Sequence, residues 1–254
     1  MGDGQQYCLI IEMKWKIKAL ILFNHAAAVY GLIYGNLWLL LLSAVGLLLI
    51  NKVGGEIGLH RYFCHRSFKT TKFWHYTILV LACLNCFGPP MAWVGVHRKH
   101  HAFSDTENDP HGHQPKWRIW TTFWKPFNIE KRYIGDFLRE KEQVFVYKWY
   151  FVLIMLLWIS LFLINWQLPI FLLSIPSVLS FHLAGLVNTI CHSHGDKPHT
   201  TKDNSYNNKW VNFLTLGSGL HNNHHAHPTR WDNREKPGDI DLPAIIIKHI
   251  LIKN

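Results

Sequence analysis

Four windows of this 254-residue chain are apolar over lengths that reach or approach the thickness of a bilayer. A helix needs about 20 mainly apolar residues to cross the hydrocarbon core, so each window predicts a membrane span. We place the spans at about residues 19–35, 37–57, 144–164 and 168–188. Backbone polar groups in lipid must be satisfied within their own segment, which favours helices. The sequence therefore predicts an all-α integral membrane protein.

The distribution of Lys and Arg predicts how these spans are arranged. The breaks within the two pairs of spans, at residues 35–36 and 165–167, are short and carry no Lys or Arg. Basic residues gather on the other flanks, at Lys14, Lys16, Lys18, Arg61, Arg66, Lys69, Arg98, Lys99, Lys131 and Arg132. Basic loops stay in the cytoplasm, so we expect two hairpins that enter from the cytoplasm and two cytoplasmic termini. Residues 97–143 and 192–254 would form a cytoplasmic helical cap, within one domain that covers residues 1–254.

A fifth apolar stretch, residues 73–93, lies between two histidine-rich segments. If these segments share one site, the stretch must return to the side on which it began. Asn85, Gly88 and the pair Pro89–Pro90 weaken a spanning helix, so we expect an interfacial or re-entrant segment. Interfacial helices, with ordinary core helices as the alternative, are also expected at residues 116–127 and 240–254.

Half of the 18 histidines fall into four clusters beside the apolar stretches. The clusters are HRYFCH at 60–65, HRKHH at 97–101, NTICH at 188–192 and HNNHH at 221–225, with histidines His60, His65, His97, His100, His101, His192, His221, His224 and His225. Positions i, i+3 and i+4 share one helix face, so each HxxHH can direct its imidazoles to one centre. His60 and His65 would diverge on a regular helix, so we expect the second span to end and unwind there.

Clustered imidazoles predict a metal centre. Neutral rings packed together leave donors and acceptors that each need a partner, which disfavours simple packing. A tetrahedral site uses four protein ligands at most, so nine histidines predict at least two ions. Imidazole suits zinc, copper, iron and nickel, and spacing alone does not choose between them. Asp105, Glu107 and Asp109 are candidates to orient the rings, with loop capping as the alternative.

The segments HRYFCH, HRKHHAFSDTENDPH, NTICH and HNNHH, in this order and between paired spans, resemble those of the membrane fatty-acid desaturases. Stearoyl-type Δ9 acyl desaturases are the most similar, over about Gly54 to Pro228. The resemblance implies that the nine histidines bind two iron ions and that Asn188 contacts one iron through water. It also implies that O2 and two electrons serve to remove two hydrogens from adjacent methylenes, which leaves a cis double bond in a saturated acyl chain.

The chemistry of such a substrate agrees with the resemblance. An unactivated methylene offers no acidic proton and no electrophile, so a redox metal with O2 is needed, and zinc is disfavoured. The expected partners are the bilayer and a fatty acyl chain, without nucleic acid. A net charge of +10 favours an anionic headgroup, carrier protein or membrane surface. The chain has no room for a fused cytochrome domain, so we expect a separate ferredoxin or cytochrome b5 as electron donor.

The sequence departs from the stearoyl-type pattern at positions that concern the substrate. The family usually has Trp-Ala-Arg-Asp-His before the second histidine box, whereas this chain has Trp-Val-Gly-Val-His at residues 93–97. The tunnel-lining Trp93 is kept, and the polar pair that contacts coenzyme A is absent. Ala184 replaces a threonine at the bend of the tunnel. The acyl carrier therefore stays open among coenzyme A, a carrier protein and a lipid, as does the exact double-bond position.

Two kinds of alternative function remain at this stage. A hydroxylase, acetylenase or decarboxylase would use the same iron scaffold, because small changes in substrate position can redirect the oxidant. A histidine-rich metal transporter would need ionisable or thiolate groups along a path at mid-membrane depth. The predicted spans instead place nearly all their histidines at one end.

Overall fold

The computed structural model describes residues 3–112 and 130–252, and it describes side chains from residue 15 onward within these ranges. Over this part of the chain the fold is helical and contains no β-strand. Two isolated β-bridges pair Asn207 with Asp196 and with Leu220. The helices are α1 (Asp3–Tyr34), α2 (Leu37–Cys64), α3 (Lys72–Cys83), α4 (Pro90–Phe103), α5 (Lys141–Ile164), α6 (Gln167–Ile190), α7 (Lys209–Thr215), α8 (His221–Ala226) and α9 (Leu242–Leu251). The expectation of an all-α protein is confirmed.

Four helices are long and apolar enough to cross a membrane. They contain the four windows, with candidate spans at Trp15–Tyr34, Leu37–Cys64, Lys141–Ile164 and Gln167–Ile190. Large apolar side chains remain exposed on these helices, among them Leu41 and Leu163, which are 70% and 79% exposed. Apolar surface of this kind is stable in contact with lipid and unfavourable in water. Length and composition thus agree with the four predicted spans.

The second half of α2 differs from the regular helix that the sequence pattern assumes. From Leu48 to Cys64 it is wound as a π-helix, in which hydrogen bonds join residues five apart. The last such bond runs from the amide of His65 to the carbonyl of His60, at 3.1 Å. The second span therefore ends at HRYFCH, as expected, but it reaches that end through π-helical winding rather than by unwinding. The wider winding brings the two rings to a centroid separation of 5.0 Å, which an α-helix would not do.

The fifth apolar stretch is not one helix. It consists of α3, a break at residues 84–89 and the start of α4. Gly88 in the break has a φ of 98°, which favours glycine, and Pro90 opens α4, where its missing N–H does no harm. Asn85 anchors the break between two long helices, since it donates to the carbonyl of Ile50 at 2.7 Å and accepts from Ser180 at 2.9 Å. The reversal places α4 beside the end of α2.

The largest hydrophobic core lies at this end of the long helices. It joins α2, α3, α4 and α9 through buried side chains such as Ile57, Phe63 and Ile78. Helix α9 contributes Ile247 and Leu251 to the core, whereas Ile245 and Ile250 on its other faces are exposed. The C-terminal stretch is therefore a core helix on one side and an apolar surface on the other. The stretch 116–127 lies outside the described residues.

Candidate metal centre

Five of the predicted histidines form a first group at the ends of three helices. Each residue offers one ring nitrogen, and these nitrogens lie within 4.8 Å of one another in the set His60, His65, His97, His101 and His224. The π-helical end of α2 supplies two of the rings. The first and last histidines of HRKHH on α4 supply two more, because they are four residues apart and share a face. Helix α8 supplies the fifth.

The other four predicted histidines form a second group. The nitrogens of His100, His192, His221 and His225 also lie within 4.8 Å of one another. His192 follows the end of α6, and the outer histidines of HNNHH come from α8. The groups are adjacent, since the rings of His101 and His225 stack at a centroid separation of 4.4 Å. The structure thus brings together all nine histidines that the sequence singled out, in sets of five and four.

The separations between ring nitrogens suit bound metal ions. The Nε2 atom of His224 lies 2.9 Å from that of His60 and 3.1 Å from that of His101. In the second group, the Nε2 atoms of His192 and His221 are 2.9 Å apart. A metal–imidazole bond measures about 2.1 Å, so two nitrogens on one ion lie at most about 4.2 Å apart. The observed distances fall within this limit.

Several of the remaining ring nitrogens lack a partner among the described residues. The Nε2 atoms of His65, His100 and His225 are buried without a hydrogen bond. Leaving a buried polar atom unpaired costs about 1–3 kcal/mol, and native structures rarely accept it without a reason. All three atoms belong to the two groups. A metal ion in each group would satisfy them, so the donor set fits a metal centre.

Five of the nine histidines are held uncharged at neutral pH. Burial, reinforced by the neighbouring His60, lowers the pKa of His65 to about 2. The pKa values of His97, His100, His101 and His224 also lie well below the ordinary value, first because burial penalises the charged ring and then because other imidazoles surround it. Only neutral imidazole can donate a lone pair to a metal. The site therefore holds these five rings in the form that binds a metal.

Carboxylates contact the other nitrogen of several rings. Oδ1 of Asp109 lies 2.9 Å from Nδ1 of His100, and Oδ2 of Asp105 lies 3.0 Å from Nδ1 of His192. A carboxylate only accepts, so each Nδ1 carries the proton and each Nε2 is left with its lone pair. Asp109 also accepts from the amide of Asp105, at 2.9 Å. Ring orientation and loop capping, which the sequence left as alternatives, thus occur together. Glu107 is exposed.

Two further carboxylates near the rings were missed in the sequence. Oδ2 of Asp203 lies 2.7 Å from Nδ1 of His225, and Oε2 of Glu56 lies 3.6 Å from Nδ1 of His60. Burial raises the pKa of Asp203, but hydrogen bonds from His225 and Ser205 outweigh it, and the pKa lies well below its ordinary value. Glu56 could have been found, because it precedes His60 by four residues on a helix. Asp203 is in a loop, and nothing in its local sequence points to His225.

A further histidine, His111, also lies beside the second group. It is buried, and its ring centroid is 4.7 Å from that of His100. His111 is the last residue of the segment HRKHHAFSDTENDPH, in which it was given no role. Its place at the end of that segment was the available signal.

A cleft of about 720 Å³, open to solvent, reaches the first group. Its lining includes Trp93 and Ala184, the two residues predicted to line a tunnel, and Asn188, the predicted water-mediated ligand. Trp93 stacks on the ring of His97 at a centroid distance of 4.7 Å. Apolar side chains such as Phe87 and Val187 line the cleft together with polar ones such as Asn51. A cleft with both apolar and polar lining beside the rings is the kind of place where a small ligand binds.

Comparisons with known proteins agree with this geometry. A family profile described as fatty acid desaturase matches residues 36–234. The chain is 33% identical over 227 residues to an sn-1 stearoyl-lipid 9-desaturase of Anabaena variabilis, which covers 85% of this chain and 82% of that protein. It is 34% identical over 205 residues to an sn-1 stearoyl-lipid 9-desaturase of Synechocystis sp., covering 78% of this chain and 64% of that protein.

A third relative carries a different name. The chain is 31% identical over 223 residues to a hex-5-enoyl-[acyl-carrier protein] acetylenase of Moorena producens, covering 72% of this chain and 64% of that protein. The match thus spans less than two thirds of the length of the second and third relatives. The profile match covers most of the chain and includes all four histidine clusters. Together, the profile, the relatives and the two histidine groups show that this chain belongs to the fatty acid desaturase family.

Proposed function

We propose that this chain is an O2-dependent fatty acyl desaturase that introduces a cis double bond, in a Δ9-like position, into a saturated acyl chain. The observation that carries the proposal is the convergence of nine imidazoles in two adjacent groups, beside a cleft that Trp93 and Ala184 line. Two of the relatives named above are 9-desaturases, which supports both the reaction and the position.

Two iron ions fit the donor set. His60, His65, His97, His101 and His224 would hold one ion, and His100, His192, His221 and His225 the other, with Asn188 in contact through water. When bound, two irons supply the redox chemistry with O2 that an unactivated methylene requires. Zinc has no redox chemistry, and although it would fit the imidazoles it would not support this reaction.

The protein's own residues orient the ligands and the substrate. Asp109, Asp105 and Asp203 accept from the Nδ1 atoms of three rings, which keeps the Nε2 lone pairs directed into the groups. Trp93 is fixed by stacking on His97, so it forms a rigid wall where the cleft meets the first group. An acyl chain held against this wall would present adjacent methylenes to the rings and exclude water from them.

The arrangement in a membrane is part of the proposal. We place α1–α2 and α5–α6 as two hairpins that enter from the cytoplasm, with the histidine groups, the cap and both termini on the cytoplasmic side. The basic residues that flank the spans on that side support this orientation. The reversal between α3 and α4 supports a re-entrant or interfacial position for residues 73–93.

The acyl carrier and the electron donor are also proposals. The chain lacks the Arg-Asp pair before the second histidine box, which favours an acyl lipid or an acyl carrier protein over coenzyme A. Relatives carry the names of stearoyl-lipid, acyl-CoA and acyl-carrier-protein enzymes, so the family accepts all three. Two electrons would come from an external ferredoxin or cytochrome b5. The bilayer and the acyl substrate are the other partners.

A second candidate function is the removal of hydrogens from an acyl chain that is already unsaturated. The acetylenase relative favours it, because it is 31% identical over a region that includes most of this chain. Hydroxylation and decarboxylation would require the same donor set with the substrate shifted. Metal transport is disfavoured, because the nine histidines meet at one end of the long helices rather than along a path.

Expression in a host that lacks unsaturated C16 and C18 chains tests the proposal directly. We expect monounsaturated chains with a cis double bond, identified by mass spectrometry of derivatised fatty acids, to appear only when the protein is produced. If only hydroxylated or only acetylenic products appeared, the protein would be a hydroxylase or an acetylenase rather than a desaturase. Elemental analysis of the purified protein should find two irons per chain, whereas exchangeable zinc or copper without iron would support a transporter.

His224→Ala tests the metal centre. His224 contacts a ring from α2 and a ring from α4, so its loss should abolish turnover and lower the iron content while leaving membrane insertion intact. His249→Ala is the matched control, because His249 is exposed on α9. A His224→Ala variant that kept its iron and its activity would contradict the proposed ligand set.

A further inference from the structure

A third cluster of metal-ligand type lies outside the nine histidines. His199, His227 and Glu235 each offer one ligand atom, and these atoms lie within 4.8 Å of one another. His199 is in the loop that precedes α7, and His227 directly follows α8. Glu235 belongs to the segment that leads to α9. The proposed desaturase reaction uses none of the three.

The backbone holds each of these residues in place. The amide of His199 donates to Oδ1 of Asn222 at 2.8 Å, and the side-chain amide of Asn222 donates back to the carbonyl of His199 at 3.2 Å. The amide of His227 donates to the carbonyl of Asn223 at 3.0 Å. The amide of Glu235 donates to Oδ2 of Asp239 at 2.9 Å. Ligands on fixed backbone lose little conformational entropy on binding an ion, which favours a preformed site.

The donor atoms suit a divalent cation. The His199 and His227 rings have centroids 5.1 Å apart, and a ring nitrogen of His199 lies 2.7 Å from Oε2 of Glu235. Arg230 donates to the other oxygen, Oε1, at 2.8 Å, so it orients the carboxylate and leaves Oε2 directed at the histidines. Two imidazoles and one carboxylate form a common zinc set, with the fourth position open to water. The alternative to a metal site is a simple ion pair between His199 and Glu235. That alternative gives no role to His227, whose ring lies beside that of His199.

From this geometry we propose that His199, His227 and Glu235 form a third metal site, which binds a zinc-type divalent cation at the protein surface. The side chains of His199 and Glu235 are 29% and 22% exposed, so the ion exchanges with solvent. The site joins the loop before α7 to the segment after α8. That loop is closed by the Asp196–Asn207 bridge and carries Asp203, which contacts His225. The third site therefore lies on the same loop as Asp203, but its ligands are separate from those of the second group.

Zinc titration of the purified, iron-loaded protein tests the site. Weakly bound metal is first removed with a mild chelator, and zinc and iron per chain are then measured by equilibrium dialysis with elemental analysis. We expect one zinc per chain beyond any retained by the nine histidines. His227→Ala and Glu235→Gln should each lose this zinc and keep the wild-type iron content. Neither substitution touches the core, so size-exclusion elution should match that of the wild type.

The matched controls are His194→Ala and Glu107→Gln, which change an exposed histidine and an exposed carboxylate elsewhere. Both should bind zinc as the wild type does. Equal zinc binding by the wild type and by the His227 and Glu235 variants would overturn the proposal, as would no zinc uptake by the wild type. Because iron is counted in the same samples, failure of the third site is distinguishable from failure of the proposed iron centre.

Discussion

At the scale of single residues, the site depends on which ring nitrogen carries the proton. His100 is fully buried, its Nδ1 atom faces Asp109, and its Nε2 atom has no protein partner. A neutral ring in this setting has one stable arrangement, with the proton toward the carboxylate and the lone pair toward the group. The carboxylates that contact Nδ1 atoms therefore matter for metal affinity although they touch no metal themselves.

Asp109→Asn should weaken iron binding. The amide can still accept from the ring but loses the charge that fixes the tautomer, and changes of this kind reduce metal affinity about 10–100-fold. Iron retained per chain during competition with a chelator measures the effect. Glu107→Gln is the control, since Glu107 is exposed two residues away. Unchanged retention in Asp109→Asn would show that Asp109 serves the loop alone.

A second residue-scale prediction concerns Asp136, which joins α4 to the segment before α5. Burial would raise its pKa, but hydrogen bonds from Arg98, at 2.7 Å, and Arg66, at 2.9 Å, lower the pKa to about 2. Because the pKa of Asp136 is lowered in the folded protein, the contact stabilises the fold at pH values above about 3.9, the ordinary pKa of an aspartate. This stabilisation is lost as the pH falls toward the pKa of the folded protein.

The measurement compares thermal unfolding of the wild type and Asp136→Asn at several pH values. The wild type should be more stable at about pH 6, and its advantage should shrink below about pH 4. The side chain of Asp136 is 38% exposed, so solvent screens the contact and the difference will be small. An advantage that grew with acidification would contradict the assigned ion pairs.

At the scale of elements, α2 and α3 pack so closely that glycine is required between them. A Cβ atom on Gly54 would lie 2.2 Å from the carbonyl oxygen of Leu81, and one on Gly58 would lie 2.9 Å from a methyl group of Ile78. The first contact is with backbone, so it cannot be relieved by a rotamer change. This approach positions the π-helical end of α2, and with it His60 and His65.

Gly54→Ala should therefore separate α2 from α3. We expect a loss of stability of about 1–3 kcal/mol or more, as for overpacked cores, together with a lower iron content because the first group is misaligned. Thermal unfolding in detergent and elemental analysis provide the measurements. Gly135→Ala is the control, since its Cβ would meet its nearest neighbour, the carbonyl of Lys131, at an ordinary 3.6 Å. Wild-type behaviour of Gly54→Ala would refute this account of the packing.

At the scale of the whole molecule, distant segments close over the histidines. Arg61 at the end of α2 forms a buried ion pair with Asp241 before α9, at 2.9 Å, and both residues are 1% exposed. Removing either partner would leave an uncompensated buried charge, which costs several kcal/mol. The ion pair therefore holds the C-terminal segment against the helix that supplies His60 and His65. In the proposed orientation, this whole assembly faces the cytoplasm.

Cysteine labelling tests that orientation. Leu37→Cys lies at the turn between α1 and α2, and Lys236→Cys lies in the exposed segment before α9. A membrane-impermeant thiol reagent should label Leu37→Cys in intact cells and Lys236→Cys only after permeabilisation. The wild type measures the background labelling of the five native cysteines, of which Cys64, Cys86 and Cys191 are buried. Labelling of both variants from the same side would contradict the two-hairpin arrangement.

Local patterns were sufficient for the spans and for the choice of histidines. An apolar window has to be buried against lipid or against other helices wherever it lies in the fold. The spacing of HxxHH places its rings on one face of any helix. For this reason the four long helices and the nine clustered histidines could be predicted. Glu56 could also have been predicted, because its spacing from His60 is helical. The π-helical winding that brings His60 and His65 together could not, since it depends on the packing of α2 against α3.

The sequence by itself thus determined which segments are apolar helices and which histidines cluster. Tertiary structure alone decided how the nine rings divide, with His224 in the first group although His221 and His225 on the same short helix belong to the second. It also decided that Asp203 contacts His225 and that His199 meets His227 and Glu235. The physical reason is that helix periodicity is a property of neighbouring residues, whereas these contacts depend on how separate helices and loops pack.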